Sequence, residues 1–231
     1  MSSFDIRNLA PELSFDSTND TSLYAHITDS NDDSVTILTR VWMNERNAPE
    51  LLPYQKHLID NLIDSLEEQS GLVTDEMASS IENKFMSMLY QTEMERIRYL
   101  VKSYLRTRLF KIEKYTLELL RNPDYTEIMS SQEIVYARRY QELVESHNHE
   151  SFLHHLPVAQ HKQDEKTAEL DMVVSANLEA PVFCKVLDDI GEIHWNVNDS
   201  TETTELEKGG TYIIRYQAIQ QYLKEDRVQL I

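Results

Sequence analysis

MERIRYLVKSYLRTRLFKIEKY, residues 94–115, decides the fold: it is long, free of glycine and proline, and apolar on more than one side. Set at about 100° per residue, Met94, Ile97, Val101, Tyr104, Leu105, Ile112 and Tyr115, with Leu119 beyond them, fall within about 100° of arc, an ordinary core-facing stripe. Tyr99, Phe110 and Leu117 gather on roughly the opposite side. A helix that is apolar on two sides is packed on two sides. In a small helical module, one of those sides is predicted to meet another chain. The stretch also carries Arg96, Arg98, Lys102, Arg106, Arg108, Lys111 and Lys114. These cations do not form one stripe. Arg98, Lys102 and Arg106 share their side with Glu95 and Glu113, and Arg108 falls near the centre of the apolar face. A helix that tracks phosphate presents its cations in one direction, clear of carboxylates. Direct DNA contact is therefore disfavoured. Arg108 and Arg106 are instead predicted to enter buried or interfacial ion pairs, because an unpaired buried guanidinium is costly.

Working outward, the long helix is predicted from about Asp75, after Thr74 as N-cap, to about Arg121, where Asn122-Pro123 stops it. Before it, a first helix runs from about Ser34 to Arg46, with Val35, Leu38, Val41 and Trp42 on one face, and NAPELL (47–52) breaks it. A second starts at Pro53 and ends near Gly71, with Leu58, Ile59, Leu62, Ile63 and Leu66 as its stripe. After it, Ser130-Ser131-Gln132-Glu133 reads as a capping box opening a fourth helix that ends before Pro157. The fold class is therefore mainly α, with a bundle-like helical domain at 35–156.

Residues 157–176 are polar and charged and read as a linker. From 177 onward the period changes: PVFCKVL, EIHWNV and TYIIRY alternate as strands do, and VQLI offers a last short strand. Asp188-Asp189-Ile190-Gly191 and Gly209-Gly210 are turn signals. A β-rich domain at 177–231 is small enough for its isolated core to be marginal. It is predicted to lean on another surface, with Tyr212, Ile214, Leu230 and Ile231 as its anchors and interface candidates.

The formal net charge of −18 argues against broad binding to phosphate or anionic lipid. One cysteine, Cys184, allows no internal disulfide and fits a reducing compartment. The N-terminus does not read as a signal peptide, and no apolar run reaches the ~18 residues of a membrane span. Residues 1–34 read as a mobile acidic tail. FDIRNLAPELSF within it groups Phe4, Ile6, Leu9, Leu13 and Phe15, either scattered apolar residues or a short recognition motif.

Enzyme signatures are missing: no Gly-rich phosphate loop, GxSxG, HExxH or paired CxxC occurs. His147, His149, His154, His155 and His161 concentrate possible ligands, but only Glu150 and His154, with His147 one turn earlier, approach metal-binding spacing. No catalytic residue, cofactor site or metal site is assigned. Cys184 reads as strand core.

Three segments carry a family resemblance: VWMNERNAPELLP (41–53), QTEMERIRYLVKSYLRTRLFKIEKY (91–115), and LEKGGTYIIRY (206–216) with the terminal VQLI. Together they resemble the Sld5 subunit of the eukaryotic GINS complex. The resemblance implies a non-enzymatic, nuclear protein, one of four subunits together with three Psf chains. It implies that the complex joins Cdc45 and the MCM hexamer in the replicative helicase, with DNA met only indirectly. It also implies paired packing of helical domains, a small domain in the tetramer core, and an N-terminus that in some members docks a replisome adaptor. The alternative left by the residues alone is a stand-alone helical nucleic-acid-binding or adaptor protein. The interface candidates are Tyr99, Arg106, Arg108, Phe110, Leu117, Tyr212, Ile214, Leu230 and Ile231.

Overall fold

Two backbone devices set the helical layout. The first is the capping box: Ser130 Oγ accepts from the Glu133 N–H at 3.2 Å, and Glu133 Oε2 accepts from the Ser130 N–H at 2.8 Å. The second is Thr116, whose hydroxyl donates back to the Ile112 carbonyl at 2.5 Å, a bond that bends helices. In a computed structural model, residues 33–76, 81–165, 171–197 and 200–231 are described. The helices are α1 (Ser34–Asn47), α2 (Lys56–Glu76), α3 (Ile81–Lys114), α4 (Thr116–Arg121), α5 (Tyr125–Ile128), α6 (Ser131–Ser151) and α7 (Tyr216–Lys224). The strands are β1 (Pro181–Val186), β2 (Gly191–Val197), β3 (Ser200–Leu206), β4 (Thr211–Arg215) and β5 (Val228–Leu230).

Several boundaries differ from the sequence expectation. The second helix does not start at Pro53. Residues 52–55 are first tied across the bundle: Tyr54 N–H donates to the Ile128 carbonyl at 3.0 Å, and Gln55 N–H to the Tyr104 hydroxyl at 3.4 Å. Gly71 does not end it either. A Cβ there would meet nothing within 4 Å, so this solvent-facing glycine costs about 1 kcal/mol of propensity without breaking the helix. Thr74 consequently lies inside α2 rather than capping α3. The long helix breaks at Tyr115 (φ −114°, ψ 23°), where Thr116 bonds backwards, so α3 and α4 replace one continuous rod. The fourth helix ends at Ser151 rather than just before Pro157, and two short 3₁₀ turns follow, Leu153–His155 and Val158–Gln160. The apolar group in FDIRNLAPELSF lies outside the described residues.

Leu38, Leu58, Ile59, Leu62, Val101 and Tyr104 form one core between α1, α2 and α3. Leu51, Ile112, Tyr115, Leu119, Met129 and Ala137 form a second between α3, α4 and α6. Each fully buried Leu or Ile contributes roughly 1.5–3 kcal/mol. Trp42 is part-buried against the first core, with the Arg46 guanidinium 5.8 Å from its ring centre.

The C-terminal strands form a three-stranded antiparallel sheet, ordered β4-β1-β5, and a β2–β3 hairpin. Val182, Cys184 and Val186 point inward, and the buried side of α7, Tyr216, Ile219 and Leu223, covers them. The strand expected over TYIIRY stops at Arg215, as β4, and Tyr216 already belongs to α7. No strand is expected over β3, whose STETTEL carries no apolar alternation.

Asp226 joins α7 to β5 at φ 55°, a conformation that asparagine and aspartate tolerate best after glycine. Burial raises its carboxyl pKa, against the opposing pull of Arg40. A raised acid stabilises the fold below its unfolded pKa of about 3.9, and that stabilisation is lost as pH climbs through the folded value. Asp226→Asn should therefore raise the Tm at pH 7, and the gain should vanish below about pH 4. Thermal denaturation of both proteins across pH 3–8 checks this.

Candidate functional site

Arg108 projects from α3 into the place where α1, the 47–55 segment and α6 converge, and it is 0% exposed. All five of its N–H groups are used. Nε donates to Glu133 Oε1 (2.7 Å) and one terminal nitrogen to Glu133 Oε2 (3.1 Å) and the Ile128 carbonyl (3.0 Å). The other donates to Glu45 Oε2 (3.1 Å) and the Leu52 carbonyl (2.5 Å). One turn on, Lys111 Nζ donates to Glu45 Oε1 (2.8 Å) and to the carbonyls of Glu45 (2.5 Å) and Glu50 (2.6 Å). Two cations thus face two carboxylates in a buried cluster. Tyr54 and Tyr104 stack 6.3 Å apart, with the Arg108 guanidinium 5.3 and 5.7 Å from their ring centres.

The titration properties follow from that packing. Burial pulls the Arg108 pKa down, but its bonds to Glu133 and the field of Glu45 outweigh this and hold it above the ordinary value. Lys111 is lowered by burial, with Glu45 opposing. Burial raises the Tyr104 hydroxyl. All four charged side chains are buried and satisfied by one another and by backbone carbonyls, so the group is a structural tie.

The same loop carries the β-rich module. Asn44 Oδ1 accepts from the Leu230 N–H (2.9 Å). Glu50 Oε1 accepts from the Tyr216 hydroxyl and from Gln220 Nε2, both at 2.7 Å. Burial and then Glu50 raise the Tyr216 pKa. Ala48 is buried in the module's core and Leu52 packs against it. The small domain leans on α1 and its following loop.

The remaining candidates divide into inside and outside. Ile214 and Leu230 are buried in the module, and Tyr212 is part-buried there. Arg106 is exposed. Tyr99 and Phe110 are 61% and 66% exposed on the side of α3 away from its core. Leu117 does not join them. Past the break at Tyr115 it lines a cleft of about 380 Å³ with Gln141, Glu145, His149, His161 and Asp164. His154 and His161 direct ring nitrogens to the backbone carbonyls of His149 and Leu156, at 2.9 and 3.0 Å.

Two exposed groups escaped the sequence reading. Phe85, Met88 and Leu89 continue the Tyr99–Phe110 side toward the start of α3. Their 3.6-residue spacing from Tyr99 was available as a signal. On the outer face of the sheet, Phe183 pairs with Ile213, and the Ile231 N–H donates to the Phe183 carbonyl at 3.1 Å. This brings three exposed apolar side chains together, of which only Ile231 is among the sequence-predicted candidates. Strand alternation separates two faces without saying which is covered.

Comparison with known proteins follows this division. Residues 58–152 match the model of the GINS complex protein helical bundle domain, and residues 177–231 that of the DNA replication complex GINS protein SLD5 C-terminus. The chain is 36% identical to DNA replication complex GINS protein sld5 of Schizosaccharomyces pombe, covering 82% of this chain and 88% of that protein. It is 32% identical to the Arabidopsis thaliana SLD5 protein, covering 85% and 90%. For the Bos taurus SLD5 protein the identity is 30%, covering 84% and 87%.

Arg108→Met should leave Glu133 buried without a cation and Glu45 with Lys111 alone, and cost about 3–5 kcal/mol. Arg108→Lys should recover only part of this, since one ammonium cannot reach five acceptors held in a planar fork. Urea denaturation of the three proteins measures both.

Proposed function

The chain belongs to the SLD5 family of GINS complex proteins, and on that premise we propose that it is a non-catalytic structural subunit of a heterotetramer with three Psf chains. In this reading the assembled complex joins Cdc45 and the MCM hexamer in the replicative DNA helicase and acts in the nucleus. ATP hydrolysis stays with the MCM ring, and DNA is reached only through the assembly.

The observation that supports this reading most is the two-sidedness of α3. One side is filled by the chain's own core. The other presents Tyr99 and Phe110 to solvent in a chain that already has its cores. Large exposed apolar side chains aligned along one element mark an interaction site rather than a random surface. The proposed contact residues are Tyr99, Arg106 and Phe110; Leu117, turned into the cleft past Tyr115, is not among them. Ile231 on the sheet provides a second contact, beside Phe183 and Ile213. Arg108, Tyr212, Ile214 and Leu230 serve assembly from within, by holding the shape of these faces.

The proposed organisation is an acidic segment at 1–34, a helical domain at 35–156, a connector at 157–176 and the β-rich domain at 177–231. The matched spans, 58–152 and 177–231, support it. Residues 1–34 are proposed to reach a replisome adaptor.

Co-expression with the three Psf chains tests the reading. The wild-type chain should elute from gel filtration in an equimolar four-chain complex. Tyr99→Asp combined with Phe110→Asp should keep its far-ultraviolet helicity and lose co-purification. Unchanged co-purification of the double variant would remove α3 as the partner face.

A further inference from the structure

We propose that the partner on the outer face of α3 is an acidic helix, with apolar side chains at heptad spacing and carboxylates along the edge that meets Lys102 and Arg106. This rests on the subunit reading above and adds the chemistry of the partner.

The shape of the face points to a helix. Phe85, Met88, Leu89, Tyr99 and Phe110 occupy a stripe about 100° wide. From Phe85 to Phe110 it extends about 38 Å along the axis. Thr92 and Ser103 fall on the same stripe between the bulky residues, leaving gaps into which a partner's side chains can insert. The backbone of α3 is already hydrogen-bonded within the helix, so a strand cannot add to it. The five apolar side chains are 48% to 66% exposed. They supply roughly 500 Å², and with their polar neighbours approach the roughly 800 Å² per partner of a standard interface.

The charge of the face points to an acidic partner. Arg96 is held by Glu93 at 2.5 Å and Arg98 by Glu95 at 2.7 Å. Glu113 is engaged by the Tyr136 hydroxyl at 2.5 Å. Lys102 and Arg106 are exposed and enter no such pair among the described residues, and Lys114 lies 5.1 Å from the Tyr115 ring centre. In a chain of net charge −18, this half of α3 therefore carries a local cationic excess. The exposed side of α2 has the opposite character, with Asp60, Asp64, Glu67 and Glu68 in solvent.

A second copy of the chain does not fit. Its acidic α2 side offers only Ile63, 37% exposed, as a large apolar group among the described residues. A nucleic acid fits less well, since Glu95 and Glu113 stand on the face among aromatic side chains that have no phosphate to meet.

The test uses the full chain co-expressed with its GINS partners. Lys102→Glu with Arg106→Glu is compared with wild type and with the Tyr99→Asp, Phe110→Asp variant. At low ionic strength the charge-reversed chain should assemble about tenfold more weakly, and the gap should narrow at high ionic strength. Two results would overturn the proposal while leaving the subunit reading intact. In the first, charge reversal leaves assembly unchanged while the aromatic variant fails to assemble. In the second, the wild-type complex binds a DNA oligonucleotide through Lys102 and Arg106, as judged by the charge-reversed variant. If both variants assemble like wild type, the α3 face is not the interface and the proposal falls, whereas failure of the wild-type chain to assemble would overturn the subunit reading.

Discussion

A guanidinium cannot be left alone inside a protein, and Arg108 is enclosed completely. Its charge and five N–H groups need acceptors that no single helix supplies. The structure takes them from α1 through Glu45, from the following loop through the Leu52 carbonyl, from the end of α5 through the Ile128 carbonyl, and from α6 through Glu133. Four segments are thereby fixed around one side chain. Glu133 is held twice, since the oxygen that meets Arg108 also closes the capping box at the start of α6. The position of that helix start and the position of the arginine are one constraint.

The constraint passes to the C-terminal module through the loop after α1. Lys111 holds the carbonyls of Glu45 and Glu50, while Asn44 and the Glu50 carboxylate reach the other way to Leu230, Tyr216 and Gln220. Backbone and side chains of a few residues thus serve two domains at once. A module with a marginal core of its own gains a buried neighbour in Ala48 and fixed hydrogen-bond partners.

How much of this could be read from the sequence depended on whether the signal was local. The core stripe of α3, the capping box at Ser130 and the burial of Arg108 were legible, because each needs only the spacing of a few neighbouring residues. The partners of Arg108 were not, since Glu45 and Glu133 lie far along the chain and look like many other glutamates. The break at Tyr115 depends on a threonine hydroxyl choosing a backbone acceptor, and Thr116 reads as an ordinary helical residue. β3 was missed because STETTEL gains strand form from its pairing with β2. The helix α7 was missed for a different reason. Tyr216, Ile219 and Leu223 do have helical spacing, but the strand signal of TYIIRY ran into them. Leu117 fell on the outer side of an ideal helix, and the real helix turns it into a cleft.

The basic run of α3 therefore contains three kinds of cation. Arg108 and Lys111 hold the interior, Arg96 and Arg98 are neutralised on the surface by glutamates one turn back, and Lys102 and Arg106 enter no ion pair among the described residues. These roles depend on one another. Because the interior cations tie α3 to α1 and α6, the helix cannot rotate without leaving charges buried and unpaired. Its outer side is consequently presented in one fixed orientation. A partner that meets an already ordered surface loses less entropy on binding than one that must order it. The residues that make α3 rigid inside are thus what make Tyr99 and Phe110 a defined surface outside, although they are themselves buried.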